Sequence, residues 1–368
     1  MKKLAIIGAN EAITILINKA RELGYETHVF AWECGDPGEK AADFFYPISI
    51  SDKEQILQKC REIGIDGICS ITSDFAAPVV AYVARSLGLP GNPERTDLVA
   101  RNKYEMRKAF KEYGGIYCPK FMEADNSFDI SAVSDFHFPV IVKPTDRWSS
   151  KGITRVDKIE DLMAAVKTAV DESFNNKAII EEFMEGPEYS AECIVYKGEA
   201  SILTFTQKVT TGYPHYIETG HIQPSDIPLD DQERIKEIIK RALNALSITN
   251  SAAHAEFRIL ANGDIGFMEI GARMGGDCIG TDLTPLSTGI DYVKMVIDVA
   301  CGNPPCFDIV TEPHPAEIKF IIDRGDIELF NRTAPDKIVR RSEFDTSFNN
   351  EVKDSSTRHG YYILRTGE

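Results

Sequence analysis

Ala255-Glu256-Phe257-Arg258-Ile259-Leu260-Ala261-Asn262-Gly263-Asp264-Ile265-Gly266-Phe267-Met268-Glu269 reads as a β-hairpin, and its register decides what the chain can bind. Two apolar-rich runs flank Asn262-Gly263, a dipeptide that favours a two-residue hairpin turn because both positions tolerate positive φ. Counting outward from that turn sets Glu256 opposite Glu269 on one face of the sheet, with Cβ atoms about 4.5–5.5 Å apart. Like charges so placed repel unless a cation lies between them. Hard carboxylate oxygens suit Mg²⁺ or Mn²⁺, which commonly take one or two carboxylates and complete their shell with substrate phosphates. The hairpin therefore points to a nucleotide and metal site with Glu256 and Glu269 as metal ligands; an exposed acidic pair on a solvated face is the other reading.

With 368 residues, the chain can hold two or three structural units with buried cores. Its 43% hydrophobic and 27% charged residues describe an ordinary soluble globular protein. The formal net charge of −16 argues against nucleic acid as a partner, since phosphate backbones are held by clustered Lys and Arg. A nucleotide is not excluded, because a metal and a few lysines neutralise its charge locally. No run reaches the roughly 18 apolar residues of a membrane span. Met1-Lys2-Lys3-Leu4-Ala5-Ile6-Ile7-Gly8 becomes strand and turn too soon for a signal peptide. The eight cysteines lack zinc-type spacing and sit in apolar runs, as Cys60 and Cys69 do, which fits reduced thiols and a cytoplasmic location.

Residues 1–93 alternate strand and helix patterns, the signature of a parallel α/β sheet. Leu4 to Ile7, Thr27 to Phe30 and Ile65 to Ile71 read as strands, and Ile56, Leu57, Cys60 and Ile63 as one helix stripe. Gly8-Ala9-Asn10-Glu11-Ala12-Ile13 has one glycine of the three in a dinucleotide fingerprint, so it reads as a tight turn, not an NAD site. Residues 94–120 form a connecting helix, from about Thr96 to Tyr113, and a linker. Residues 121–188 and 189–305 hold mixed and antiparallel patterns, with an irregular loop around 210–228 and a helix carrying Ile235, Ile239 and Leu243. The tail, 306–368, reads as a β-rich extension of short strands and turns without a strong helix. The fold class is thus α/β combined with α+β.

Several side chains in this frame suit phosphate chemistry. Lys143 ends the strand Val140-Ile141-Val142, where a buried ammonium meets an anion; a plain salt bridge at the strand end is the alternative. Lys103 starts a polar helix and, alone, reads as a solvated residue. Asp146-Arg147-Trp148-Ser149-Ser150-Lys151-Gly152 offers hydroxyls, backbone N–H groups and a cation to phosphate oxygens, although a polar surface turn would look the same. In Glu181-Glu182-Phe183-Met184-Glu185-Gly186-Pro187-Glu188 a buried strand runs into carboxylates and a Gly-Pro turn, as it would beside an adenine and a ribose or at the end of an edge strand. Arg273, four residues past Glu269, can meet phosphate or carboxylate oxygens with a bidentate fork. His215-Tyr216-Ile217-Glu218-Thr219-Gly220-His221 falls in the irregular loop, where functional groups concentrate.

Taken in order, Lys103, Lys143, Ser149 to Gly152, Glu181-x-Phe183-x-x-Gly186-x-Glu188, Glu256 and Glu269-x-x-x-Arg273 resemble the ATP-grasp superfamily. Glu218-x-Gly220-His221-x-x-Pro224 and Gly360-Tyr361-Tyr362 are similar to its carboxylate-amine ligases, on the L-amino acid ligase branch. The resemblance implies an N-terminal parallel α/β domain, a small lid and an antiparallel-sheet domain, with ATP between the last two. It implies that Lys103, Lys143 and the loop Ser149, Ser150, Lys151 and Gly152 hold phosphates, that backbone groups of Glu181, Glu182 and Phe183 hold adenine, and that Glu188 holds ribose. Glu256 and Glu269 would bind Mg²⁺ (or Mn²⁺), Arg273 would face the transferred phosphate, and Glu218 and His221 would lie near the acceptor.

The activity so implied is an ADP-forming ligase that activates a carboxylate as an acyl phosphate and joins it to an amine. Its partners would be small-molecule carboxylate and amine substrates, without nucleic acid or membrane, and with a homodimer left open. Two departures stand out: Gly271 replaces an Asn that completes a second metal in many members, and the phosphate loop is poor in glycine. Competing readings are a bicarbonate or nucleotide-precursor ligase of the same fold, a nucleotide-binding regulatory protein without turnover, and an NAD-dependent oxidoreductase.

Overall fold

The alternation of apolar strands and amphipathic helices in the first ninety residues builds a parallel sheet. The computed structural model describes residues 1–147, 151–213, 216–344, 348 and 352–367. Strands β1 (Lys3–Ile7), β2 (Glu26–Phe30), β3 (Phe44–Tyr46) and β4 (Gly67–Cys69) pair in the order β3-β2-β1-β4, all parallel. Helices α1 (Glu11–Glu22), α2 (Pro37–Ala41), α3 (Lys53–Ile63) and α4 (Ala76–Leu87) alternate with them. Leu4, Ala5, Ile6 and Ile7 of β1 are all buried, as strands covered on both faces must be. Gly8, at φ 101°, makes the tight turn after β1, and the Asn10 side chain caps α1 by accepting from the Ile13 N–H at 3.1 Å.

The single helix expected near residues 96–113 is two, α5 (Glu94–Val99) and α6 (Lys103–Tyr113). The first closes at Ala100, and Asn102 starts the second, because its side chain accepts from the N–H groups of Tyr104 and Glu105. That cap places Lys103 in the first turn of α6, buried instead of on a solvated face.

A second sheet follows, this one antiparallel in the order β5-β8-β6-β7, with β5 (Phe121–Ala124), β6 (Val140–Pro144), β7 (Thr154–Val156) and β8 (Ala178–Glu182). Helix α7 (Leu162–Glu172) covers it, packing Leu162, Val166 and Val170 with Val140, Val142 and Ile180 in one core. Because β8 is flanked by β5 and β6, the Glu181 segment is an interior strand and not an edge.

An eight-stranded antiparallel sheet then carries the largest core among the described residues. Its order, β13-β12-β9-β10-β11-β14-β16-β15, joins β9 (Glu188–Tyr196), β10 (Glu199–Thr210), β11 (Glu218–Gln223), β12 (Ser251–Ile259), β13 (Ile265–Gly271), β14 (Ala316–Ile321), β15 (Ile338–Arg341) and β16 (Gly360–Arg365). Helix α8 (Leu229–Ala245) lays Ile235, Ile239 and Leu243 with Phe110 of α6 onto Phe257 and Phe267. Past α9 (Thr284–Thr288), helix α10 (Tyr292–Ala300) shares a core with α1, Ile194 and Ala252, so the sheet and the N-terminal unit are packed together. No helix among the described residues is long and apolar enough to cross a membrane.

Three expectations change. Residues 210–228 are not all loop, since β11 bonds to both β10 and β14; its residues Glu218, Thr219, Gly220 and His221 hide the strand because polar side chains line a cavity there. The tail contains a helix, α11 (Arg324–Arg332), started by an Asp323–Asp326 capping box, and its strands extend the eight-stranded sheet. The hairpin turn holds three residues, not two: Leu260 N–H donates to Asp264 O, and Gly263 takes φ 83°. A β-bulge between Glu256 and Phe257 then leaves Met268 unpaired and restores the register, so Glu256 does face Glu269. Two one-residue shifts cancel.

Candidate active site

A cavity of about 500 Å³ opens between the β5-β8-β6-β7 sheet, the eight-stranded sheet and the N-terminal unit. Glu256 and Glu269 both line it. The pair sits on adjacent interior-facing positions of β12 and β13, the relation the hairpin register demands.

The protein's own cations meet these charges. Lys208 Nζ lies 3.0 Å from Glu256 Oε1, 3.2 Å from Glu188 and 3.6 Å from Glu218. Burial alone would lower the Lys208 pKa, but Glu256, Glu188 and Glu218 together raise it well above the usual lysine range. His254 Nε2 lies 3.1 Å from the same Glu256 oxygen, while its Nδ1 meets Glu192, which also accepts from the Gly275 N–H at 3.0 Å. Burial works against ionisation of Glu256, yet Lys208 and His254 hold its carboxyl well below the carboxylate range. Lys103 Nζ is 3.1 Å from Glu269 Oε2 and donates to the Arg147 carbonyl. Facing carboxylates on one wall give hard oxygen donors that fit a divalent cation. Among the described residues no three His, Cys, Asp or Glu side chains cluster to hold a metal by themselves. A cation on Glu256 and Glu269 would draw its other ligands from phosphate oxygens or water.

A second charged group lies toward the smaller sheet. Glu181 is fully buried and receives Arg107 Nε at 2.8 Å on one side and Lys143 on the other. Burial alone would raise its pKa, but Arg107 and then Lys143 bring it down to about 2. For Lys143 burial prevails over the pull of Glu181, helped by Arg107 and Lys103 nearby, and lowers its pKa. Lys103, Lys143 and Arg107 outnumber Glu181 and Glu269, which leaves this end of the cavity attractive to an anion.

The structure brings Lys103, Lys143, Glu181, Phe183, Glu188, Glu218, His221, Glu256, Glu269 and Arg273 to one cavity wall or another. It does not bring Glu182, Lys151 or Gly152 there. Glu182 follows Glu181 on the strand and so points to the opposite face, where it accepts from the His137 N–H at 2.9 Å. Ser149 and Ser150, with Trp148, lie outside the described residues, as does His215. The N–H groups of Glu182 and Phe183, expected at an adenine, already donate to the carbonyls of Lys120 and Pro139. Glu188 spends one oxygen on Lys208 and the other on Arg258.

Glu218 and His221 are three residues apart on β11 and would face opposite ways on a regular strand. An irregularity opposite Val209 and Thr210 leaves Thr219 unpaired and turns both toward the cavity. Arg273 does not stand free to meet a phosphate. Its Nε and Nη2 donate to Asp74 of the N-terminal unit at 3.0 and 2.9 Å, a bidentate fork. This explains Gly271: a Cβ there would lie 3.0 Å from Asp74 Oδ1 and 3.2 Å from Arg273 Cζ, so the Arg273–Asp74 pair occupies the space an Asn side chain would need.

Sequence reading missed Lys208, Arg107, His254, Asp74 and Arg358. Lys208 is one strand residue among alternating polar ones, and Arg107 looks like any helical arginine. A cue for Arg107 existed in its one-turn spacing from Lys103 on α6, which sets both on one face.

Residues 136–282 match the family model of an ATP-grasp domain. Alanine–anticapsin ligase of Bacillus subtilis strain 168 is 28% identical over 67% of this chain and 56% of its own length. The chain thus spans little more than half of that curated relative. D-alanine–D-alanine ligase of Flavobacterium johnsoniae is also 28% identical, over 71% of this chain and 82% of that protein. The crystal structure of L-amino acid ligase from Bacillus licheniformis superposes with a TM-score of 0.80 at 24% identity, covering 99% of this chain and 93% of that one, which shows a shared fold. Residues 136–282 thus match an ATP-grasp domain, and the chain as a whole shares the fold of that L-amino acid ligase structure.

Proposed function

We propose that the chain is an ATP-dependent, ADP-forming ligase that activates a carboxylate as an acyl phosphate and joins it to an amine, with an amino acid or small acid as substrate. The observation that carries this reading is the cavity itself: two facing carboxylates on β12 and β13, with buried Lys103 and Lys143 beside them. Making an amide from a carboxylate and an amine in water is uphill, so a leaving group must first be installed. A phosphoryl group is moved mostly by positioning and by stabilising spread negative charge, and this inventory supplies both without a nucleophilic side chain.

In this reading Lys103 and Lys143 neutralise nucleotide phosphates, Phe183 lies along the base and Glu188 meets the ribose. Glu256 and Glu269 would hold Mg²⁺ or Mn²⁺, which when bound supplies charge neutralisation at the phosphates. Lys208 and His254 keep Glu256 ionised and oriented. Arg273, fixed by Asp74, presents its remaining N–H groups to developing oxyanion charge. Glu218 and His221 orient the incoming amine. The β5-β8-β6-β7 sheet and α7 cover the cavity and keep water from the activated acid.

The test is ADP and phosphate release from ATP with pools of amino acids. Release that needs both an acid and an amine supports the ligase. ATP binding without any acceptor-stimulated release would support a regulatory protein instead.

A further inference from the structure

Phe75 and Phe174 are large apolar side chains left 45% and 58% exposed, yet they touch. Phe75 belongs to the N-terminal unit and lines the cavity, while Phe174 stands in the loop between α7 and β8. Their rings meet edge to face, with centroids 6.2 Å apart. The contact joins two units of the fold at the rim of the cavity.

Neither ring is placed by local need. Phe75 holds the N-cap position of α4, where Ser, Thr, Asp or Asn is preferred. Ser73 caps in its stead, its Oγ accepting from the Ala76 N–H at 3.2 Å, while Asp74 is engaged with Arg273. Phe174 is presented by a fixed corner. Asp146 Oδ1 accepts from Ser173 Oγ at 2.9 Å and from the Phe174 N–H at 3.2 Å, and its Oδ2 from the Asn175 N–H at 3.0 Å. The Arg147 guanidinium lies over the same ring, Cζ 4.0 Å from its centre. Arg147 in turn gives its carbonyl to Lys103 Nζ, and Lys103 meets Glu269. A line of contacts thus runs from the N-terminal unit, over the rim, to the lysine beside the facing carboxylates. Two exposed rings on separate units gain from meeting only while those units are close, so the contact favours the closed arrangement.

We propose that Phe75 and Phe174 form a latch that holds the β5-β8-β6-β7 sheet shut against the N-terminal unit. The stop for closure is then the turn before α4, which also carries Asp74, and whatever fills the cavity leaves only after the rings part. An edge-to-face pair multiplies the closed-to-open ratio by about three- to tenfold. Such a contact opens readily in each cycle, yet it slows escape and keeps water out. That the retained molecule is a nucleotide rests on the ligase reading; the latch itself does not.

Two measurements on the full chain test it. Urea unfolding of Phe75→Ala, Phe174→Ala and the double variant needs no ligand. The proposal expects the double variant to lose about three- to tenfold less in the unfolding constant than the two single losses multiplied together. Losses that multiply to within about twofold overturn it. Stopped-flow release of methylanthraniloyl-ADP in Mg²⁺ reads the consequence. Either alanine variant should release this probe about three- to tenfold faster than the unaltered protein, and the double variant should match the singles within about twofold. Phe174→Tyr keeps the ring and should restore slow release, a rescue that tells a latch from a side chain needed only for folding. Unchanged release in both alanine variants overturns the latch and leaves the ligase reading standing. Coupled stability in urea, with no binding of the ADP probe by the unaltered protein, supports the latch and overturns the ligase.

Discussion

Glu256 stands opposite Glu269 across β12 and β13, and a different lysine meets each, Lys208 on Glu256 and Lys103 on Glu269. The two lysines arrive from unconnected elements, a strand of the large sheet and the first turn of α6. Each carboxylate therefore has a cation of its own before any ligand enters. A cation and a nucleotide have only to replace or extend these contacts.

Lys208 serves three carboxylates, Glu256, Glu188 and Glu218, from a side chain that is 4% exposed. Lys208→Met leaves those charges without their shared partner, and breaking a buried pair from one side costs about 3–5 kcal/mol. Urea unfolding should show a loss of that size. A change within about 0.5 kcal/mol would mean the carboxylates are solvated and the cluster contributes little.

Lys143 and Arg107 both reach Glu181, so their removal should differ. Lys143→Met leaves the carboxylate with Arg107 and should keep the fold while weakening ATP binding about tenfold or more. Arg107→Met removes the donor to both Glu181 and the Met268 carbonyl and should mainly lower stability. Calorimetric ATP titration and thermal unfolding of the two variants check the split; unchanged nucleotide affinity in Lys143→Met would return that lysine to a plain salt bridge.

Acid should remove the stabilisation that the Glu181 charge provides. Its folded pKa, about 2, lies below the ordinary value of 4.5, so its stabilisation is complete above pH 4.5 and disappears as the pH falls through 4.5 toward 2. The shift corresponds to about 3 kcal/mol. Glu181→Gln should be less stable than the unaltered protein at pH 7, with the gap closing below about pH 3. A gap that does not depend on pH would show that packing, and not charge, is what the substitution removes.

Neighbouring glycines make a matched pair. A Cβ at Gly275 would lie 2.4 Å from Glu192 Oε1 and 2.8 Å from His254 Nδ1, whereas at Gly276 nothing lies within 4 Å. Gly275→Ala should displace the Glu192–His254–Glu256 chain and cost about 1–3 kcal/mol, with Gly276→Ala within about 0.5 kcal/mol of the unaltered protein. Equal melting temperatures for the two variants would contradict the packing described around His254.

The first domain was the easiest part to read, because β1 and β2 are short apolar runs with helix stripes between them, and local pattern alone specifies such units. The facing of Glu256 and Glu269 was also legible, although by cancellation: the three-residue turn and the bulge at Met268 each move the register by one, in opposite senses. Cavity-lining strands were harder. β11 reads as loop because Glu218 and His221 replace the apolar face that would mark it, and the irregularity at Thr219 breaks its alternation. Lys208, Arg107 and Asp74 escaped notice because their partners lie far away in sequence, 199 residues in the case of Asp74 and Arg273. Order along a chain does not carry such meetings. Nor does it show that two backbone donors of the stretch expected at an adenine, the N–H groups of Glu182 and Phe183, are engaged by the carbonyls of Lys120 and Pro139.

The most direct measurement is the affinity for ATP, by calorimetric titration with and without Mg²⁺, of the unaltered protein and of Glu269→Gln, which removes a charge at nearly constant volume. The account predicts tighter binding with Mg²⁺ in the unaltered protein, and loss of about tenfold or more of that metal-dependent gain in the variant, with the melting temperature little changed. Identical affinities for both proteins, with and without Mg²⁺, would contradict it.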